Sequence, residues 1–338
     1  MDRIVRLFTI CLVCTMTTGM SSSASPTRTR QIMPGTPLEA SYVVLSAEVP
    51  GPTVVVIGGF HGNEPAGYLA ARKLCRWKIV RGTLVVLSDA NKEAISRGVR
   101  FHQENLNRLF PGKEEGTPRE RFAFQVFEMI RNSRPALLLT LHESIGYHRA
   151  DPSRFGQTIC YDFDELTSRM RRVTDRLNPS IESAKDRFLC FVAPYPTCPT
   201  YQCWARLRVP AASIETSKQL PIQTRIKYQL MAVSAFLDDV GVLYSQSDIP
   251  PLTPVTSSAA APIRSGASVA AVPRNGDAEI GAEEAVLGAG KRVTQETVSR
   301  NSILLTIGTV SLCVSVVGGI AVVMWCMYLS KPWRGKTR

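Results

Sequence analysis

Short apolar, β-branched runs recur along the chain at residues 42–45, 53–57, 83–88, 136–141 and 211–214. Runs of that length read as strands. Between or after them, apolar positions fall at helical spacing over residues 65–74, 119–132, 164–177 and 222–240. Strands alternating with helices predict one α/β domain over residues 31–246, with a mostly parallel mixed sheet flanked by helices. No internal repeat is visible. Over residues 247–300 the pattern gives way to Pro, Ser, Ala and Gly, without aromatics or any period. That composition reads as a linker or stalk rather than a second core.

The two ends carry patterns of their own. Residues 1–25 place Arg3 and Arg6 before an apolar stretch, followed by small residues including Ser22, Ser23 and Ala24. This is the layout of a signal peptide, with an uncleaved N-terminal anchor as the alternative. Residues 303–329 contain no charged side chain and are long enough to span a bilayer. Trp325, Tyr328 and Trp333 lie where an aromatic belt would form, and Lys331, Arg334, Lys336 and Arg338 follow. The positive-inside rule then predicts a basic cytoplasmic tail at residues 330–338 and a catalytic domain outside the cytoplasm.

Composition adds less. The chain has 338 residues, 44% of them hydrophobic, so it can bury a core. Its net charge of +12 raises nucleic-acid binding, but the arginines are scattered and no nucleic-acid motif occurs. A basic balance favours anionic substrates or an anionic surface instead. Nine cysteines leave five for the outer domain, Cys75, Cys160, Cys190, Cys198 and Cys203. An odd number gives no complete disulfide framework. Cys198 and Cys203 could pair, but buried thiols are the simpler expectation.

The candidate chemistry gathers where predicted strands end. Val-Val-Val-Ile-Gly-Gly-Phe-His-Gly-Asn-Glu-Pro, from Val54, is a strand, a tight loop and a helix start. It exposes His61 and Glu64 at the turn. His142, in Leu-Leu-Thr-Leu-His-Glu-Ser, ends a second apolar strand, and Glu215, in Pro-Ala-Ala-Ser-Ile-Glu, a third. In α/β folds ligands collect beyond such strand ends. Two His and one Glu, with a fourth position open, form a hydrolytic Zn²⁺ arrangement. Glu215 is the expected general base, passing a proton from water to the leaving amine. Glu143 competes for that role, although along a strand its side chain points opposite to that of His142.

A second loop reads Arg-Phe-His-Gln-Glu-Asn-Leu-Asn-Arg-Leu-Phe-Pro-Gly from Arg100. The Arg108 fork with the Asn107 amide suits a substrate carboxylate, and Arg100 an oxyanion. His102 and His148 read as loop and surface histidines.

Taken in order, four motifs resemble those of the succinylglutamate desuccinylase/aspartoacylase family. They are Gly-Gly-Phe-His-Gly-Asn-Glu from Gly58, Arg100 with Asn-Leu-Asn-Arg-Leu-Phe-Pro-Gly, Leu-His-Glu from Leu141, and Ser-Ile-Glu from Ser213. That family is similar to zinc carboxypeptidases in its catalytic fold. The resemblance implies one Zn²⁺ per chain on His61, Glu64 and His142, with Glu215 as base and proton shuttle. It also implies Asn107 and Arg108 on the substrate carboxylate and Arg100 at the carbonyl. The carboxypeptidase likeness further suggests Tyr195 or Tyr201 in the cleft and Arg206 as a second anion contact.

Two departures stand out. Asn105 occupies a position where the family usually has Asp, and a low-complexity stretch stands where cytoplasmic members carry a further β domain. The expectation is therefore a membrane-anchored zinc hydrolase cleaving an amide next to a carboxylate, of the N-acyl amino acid deacylase type. A carboxypeptidase acting on peptides such as cell-wall stem peptides is the alternative. A catalytically inactive domain that binds an acidic ligand is the second.

Overall fold

The computed structural model describes residues 27–252. The N-terminal segment 1–25, most of the linker, the span 303–329 and the basic tail lie outside the described residues. Among the described residues no helix is long and apolar enough to cross a membrane.

Among the described residues nine strands form one sheet: β1 (Thr27–Ile32), β2 (Ala40–Ser46), β3 (Val49–Gly58), β4 (Lys78–Leu87), β5 (Leu137–Ser144), β6 (Thr158–Tyr161), β7 (Leu189–Val192), β8 (Ala211–Ser217) and β9 (Leu243–Ser245). Their order is β1-β2-β4-β3-β5-β8-β6-β7, with β9 beside β4. The centre, β4-β3-β5-β8, is parallel. Toward the margins β1, β2, β9 and the β6–β8 pair run antiparallel, while β7 lies parallel to β6. The expected mixed sheet flanked by helices is observed, but it is mostly parallel only at its centre, because short marginal strands bring the antiparallel pairings to four against four parallel ones.

Six α-helices of the described residues accompany the sheet: α1 (Pro65–Leu74), α2 (Lys92–Arg97), α3 (Pro118–Ser133), α4 (Thr167–Leu177), α5 (Pro199–Leu207) and α6 (Ile222–Val240). Helices α1, α4 and α6 cover one face, where Val54, Val56, Leu139, Leu141 and Ile214 meet Leu74, Met170, Leu230 and Phe236. Helix α3 covers the other, where Val55, Ile57 and Leu138 meet Phe122, Val126 and Ile130, with Cys203 of α5 alongside. Residues 54–57 are fully buried on both sides, as expected of a central parallel strand. Helix α6 is apolar nearly all round and is correspondingly buried from Ile226 through Leu237, apart from Lys227.

Strand pairing begins at Thr27, and packing continues past residue 246. Asp248 accepts hydrogen bonds from Lys73 Nζ (2.8 Å) and Trp77 Nε1 (2.9 Å), and Ile249 is buried. The cysteines Cys75, Cys160, Cys190, Cys198 and Cys203 are unbridged. Burial pushes the Cys198 and Cys203 thiols up to about 12, so both are inert packing groups.

Candidate metal and catalytic site

The β3–α1 connection is short because glycines let it fold against its neighbours. A Cβ on Gly62 would lie 2.0 Å from the Ala94 carbonyl oxygen of α2, so only glycine fits. Gly59 adopts φ +75°. The turn delivers His61 and Glu64 to the carboxyl end of β3, both nearly fully buried.

Glu64 occupies the N-cap position of α1 but makes no side-chain cap there. The helix start is served instead by Glu143 on β5, whose Oε2 accepts the Ala66 amide at 2.7 Å. Its Oε1 takes Arg225 of α6, which closes the pair on the α1/α6 side of the sheet. Glu143 is thereby excluded as a base, and the Glu64 carboxylate is left to turn inward.

There Glu64 gathers four partners. Its Oε1 lies 2.7 Å from His61 Nδ1 and accepts Arg100 Nη1 at 2.8 Å. Its Oε2 lies 2.9 Å from His142 Nδ1 and accepts the Glu143 amide at 3.2 Å. Burial alone would raise the Glu64 carboxyl, but the charges and hydrogen bonds of His61 and His142 hold it well below the usual range. One ligand atom from each of His61, Glu64 and His142 can be chosen so that all lie within 4.8 Å of one another.

The protons on His61 indicate what fits between these atoms. The Asn107 amide donates to Asn105 Oδ1 at 3.1 Å, which identifies that atom as the carbonyl oxygen. His61 Nε2 lies 3.2 Å from the same oxygen and donates to it in the tautomer that carries the proton on Nε2. Burial drives the His61 pKa down to about 4 against the pull of Glu64, with Arg100 and His142 assisting. A neutral ring carries one proton for two contacts, Glu64 Oε1 at Nδ1 (2.7 Å) and Asn105 Oδ1 at Nε2 (3.2 Å). A cation on Nδ1 would leave the proton on Nε2 for Asn105, and an outer hydrogen bond on the far nitrogen is the usual setting of a metal-binding imidazole. His142 Nε2 is buried without a partner, and the ring stacks on Phe60 at 5.9 Å with an 11° interplanar angle.

Glu215 joins the group through sheet register. It pairs with His142 on β5 and Thr158 on β6, so the three side chains leave one sheet face side by side. Thr140 and Ser213, one pair back on that face, share a 2.8 Å hydrogen bond. From beneath, Gln229 Nε2 of α6 donates to the His142 carbonyl at 2.7 Å.

The loop before α3 brings the basic groups. Asn105 starts a 3₁₀ turn, Leu106–Arg108, whose Leu106 is buried. Arg108 Nη1 donates to the Asn107 carbonyl at 3.1 Å, and its guanidinium lies 4.5 Å from the centre of the Tyr195 ring. Asn107 Oδ1 and Arg100 Nε are buried without hydrogen-bond partners. The Phe110 amide donates to the Thr197 carbonyl at 3.0 Å, tying this loop to the segment that carries Tyr195.

His61, Glu64, His142 and Arg100 thus meet directly, Glu215 shares their sheet face, and Asn107, Arg108 and Tyr195 form an adjoining cluster. Tyr201 and Arg206 have other partners: Tyr201 packs on Phe163 at 4.7 Å, and exposed Arg206 bonds Gln202 along α5. His102 pairs with Glu93, and His148 donates to the Arg154 carbonyl and stacks on Phe191.

Two contributors have little sequence signal. Asn105 marks itself only by standing in the Asn-Leu-Asn-Arg motif. Asp162 follows β6, a four-residue strand too short to read, and its Oδ1 accepts the Tyr195 amide at 2.9 Å.

Residues 50–146 match the family model of the succinylglutamate desuccinylase/aspartoacylase catalytic domain. A succinylglutamate desuccinylase of Pseudomonas paraeruginosa is 36% identical over 107 residues, 28% of this chain and 32% of that protein. An N-alpha-acetyl-L-2,4-diaminobutyric acid deacetylase of Halomonas elongata is 34% identical over 98 residues, 27% of this chain and 28% of that protein. The chain therefore spans about a third of the length of the curated relatives it matches. Among solved structures, the cell shape determinant protein Csd4 of Helicobacter pylori aligns over 61% of this chain and 56% of its own, with TM-score 0.55 and 20% identity. That likeness is one of fold.

Proposed function

We propose that this chain, which belongs to the succinylglutamate desuccinylase/aspartoacylase family, is a zinc-dependent hydrolase cleaving an amide bond next to a carboxylate. The observation that carries this reading is the placement of Glu215 beside His142, on the face where His61 and Glu64 converge.

His61, Glu64 and His142 would hold the metal, and their buried two-imidazole, one-carboxylate set fits Zn²⁺. Bound there, Zn²⁺ would polarise the scissile carbonyl and acidify a water. The Glu215 carboxylate takes one proton from the attacking water, whose oxygen bonds the carbonyl carbon. The C–N bond then breaks, and Glu215 returns the proton to the amine nitrogen, leaving a carboxylic acid and an amine, which in water become a carboxylate and an ammonium. The Arg108 fork and the Asn107 amide grip the substrate carboxylate, and Tyr195 steadies the guanidinium. Arg100, on Glu64, supplies positive charge near the developing oxyanion.

Relatives named for succinylglutamate and acetyl-diaminobutyrate support a small N-acyl amino acid as substrate. The family's carboxypeptidase-like fold supports a peptide as the second reading. The patterns at both ends support placement outside the cytoplasm on a single membrane anchor at residues 303–329.

The test is to purify the full chain with and without Glu215→Gln, measure its metal, and incubate both with N-acyl amino acids and wall-derived peptides. Stoichiometric zinc in both, with a product formed only by the unaltered chain, is expected. A well-folded chain that takes up no zinc overturns the metal assignment. Equal product from the two forms overturns the role of Glu215.

A further inference from the structure

One oxygen, Asn105 Oδ1, lies 3.2 Å from His61 Nε2 and accepts the Asn107 backbone N–H at 3.1 Å. The first contact fixes the orientation of an imidazole in the proposed metal site. The second forms the turn that presents Asn107 and Arg108. The acceptor is a neutral amide, although the same place would accommodate a carboxylate with the same reach.

We propose that Asn105 is a positioning residue that joins the metal site to the carboxylate clamp and holds zinc affinity below what a carboxylate there would give. The inference rests on the zinc reading above. The amide oxygen keeps the His61 proton on Nε2, leaving the Nδ1 lone pair for the metal. A carboxylate at this position would draw more strongly on that proton and make the imidazole a stronger donor. It would also add one negative charge beside a dication whose carboxylate ligand, Glu64, is already shared with Arg100. Because the His61 and Asn107 bonds end on one atom, metal that fixes His61 also steadies the turn at residues 105–108. Metal-free, the ring's proton is contested by Glu64 Oε1 at 2.7 Å and Asn105 Oδ1 at 3.2 Å, so His61 holds that oxygen less firmly.

The experiment uses the full-length chain, Asn105→Asp and Asn105→Leu, all stripped of metal and checked for folding by circular dichroism. Zinc affinity is read by competition with a chromophoric chelator. Hydrogen exchange across residues 104–110 is read by mass spectrometry, with and without zinc. Relative to the unaltered chain, Asn105→Asp should tighten zinc about tenfold and Asn105→Leu weaken it about tenfold or more. Zinc should slow exchange at residues 105–108 in the unaltered and Asp forms but not in the Leu form.

Unchanged zinc affinity in Asn105→Asp overturns the proposed limit on affinity. The same zinc-dependent protection in Asn105→Leu overturns the joint. If the Leu form fails to fold, the Asp form alone decides, because tighter zinc with retained protection is required of it. An unaltered chain that binds no zinc overturns the zinc reading itself, whereas equal zinc binding by all three forms overturns only this inference.

Discussion

Asp162 shows how a single buried carboxyl can hold part of the site. Burial raises its pKa from 3.8 to about 6, against the opposing effects of the Tyr195 amide, Thr200, Cys198 and Arg108. A folded-state pKa above the unfolded one means that the folded form binds more protons between the two values. Stability is then greatest below pH 4 for this group and declines as pH rises through about 6, by about 3 kcal/mol for the full shift. Asp162→Asn keeps an oxygen for the Tyr195 amide and should flatten that dependence, which thermal melts from pH 4 to 7.5 would reveal. An unchanged pH slope in the variant would show that the decline arises elsewhere. For Glu64→Gln the expected outcome is different: loss of stoichiometric zinc by atomic absorption, because the amide cannot replace the anionic ligand.

At the scale of elements, the site depends on a division of labour between adjacent residues of one strand. Along β5, His142 faces His61 and Glu64 while Glu143 faces α1 and α6. The Glu143 side chain is fully buried and its pKa is raised by burial, despite the Ala66 amide and Arg225. Arg225→Met would leave that carboxylate without its cation and should cost about 3–5 kcal/mol, measured by urea unfolding. A loss under 1 kcal/mol would mean the pair contributes little. Gly62→Ala tests the β3–α1 turn, since its Cβ would collide with the α2 backbone. It should destabilise by about 1–3 kcal/mol and displace His61, lowering zinc occupancy in the same preparation.

For the whole molecule, the packing limits predict what can be cut away. Strand β1 pairs with β2 along its full length from Thr27, and Asp248 and Ile249 pack near the other end. A fragment of residues 31–246 loses most of β1 and both C-terminal contacts, whereas 27–252 keeps them. The shorter fragment should melt several degrees lower by calorimetry, in line with about 4–8 °C per kcal/mol for a small domain and less for one of this size. Equal melting temperatures would show that these margins are dispensable.

The main architecture was legible in the chain because burial and periodicity act locally. The central runs at residues 53–57 and 136–141 had to be strands, and α1 and α6 occur over the expected residues. Histidine and carboxylate at consecutive strand ends were equally legible, because a parallel sheet gathers those ends on one side. Strands β1, β6, β7 and β9 and helices α2 and α5 were not. They are short, and their identity comes from partners distant in sequence, such as β2 for β1 and β8 for β6.

The same distinction applies to the chemistry. The sequence by itself determined which side chains were available and that His142 and Glu143 diverge, since alternation is a local property of a strand. Only the tertiary structure decided that Glu143 serves α1, that Glu64 is thereby released to the two imidazoles, and that Asn105 reaches His61. Apart from the local His61–Glu64 contact, each of those outcomes rests on contacts between segments 44 to 79 residues apart, which no local pattern specifies.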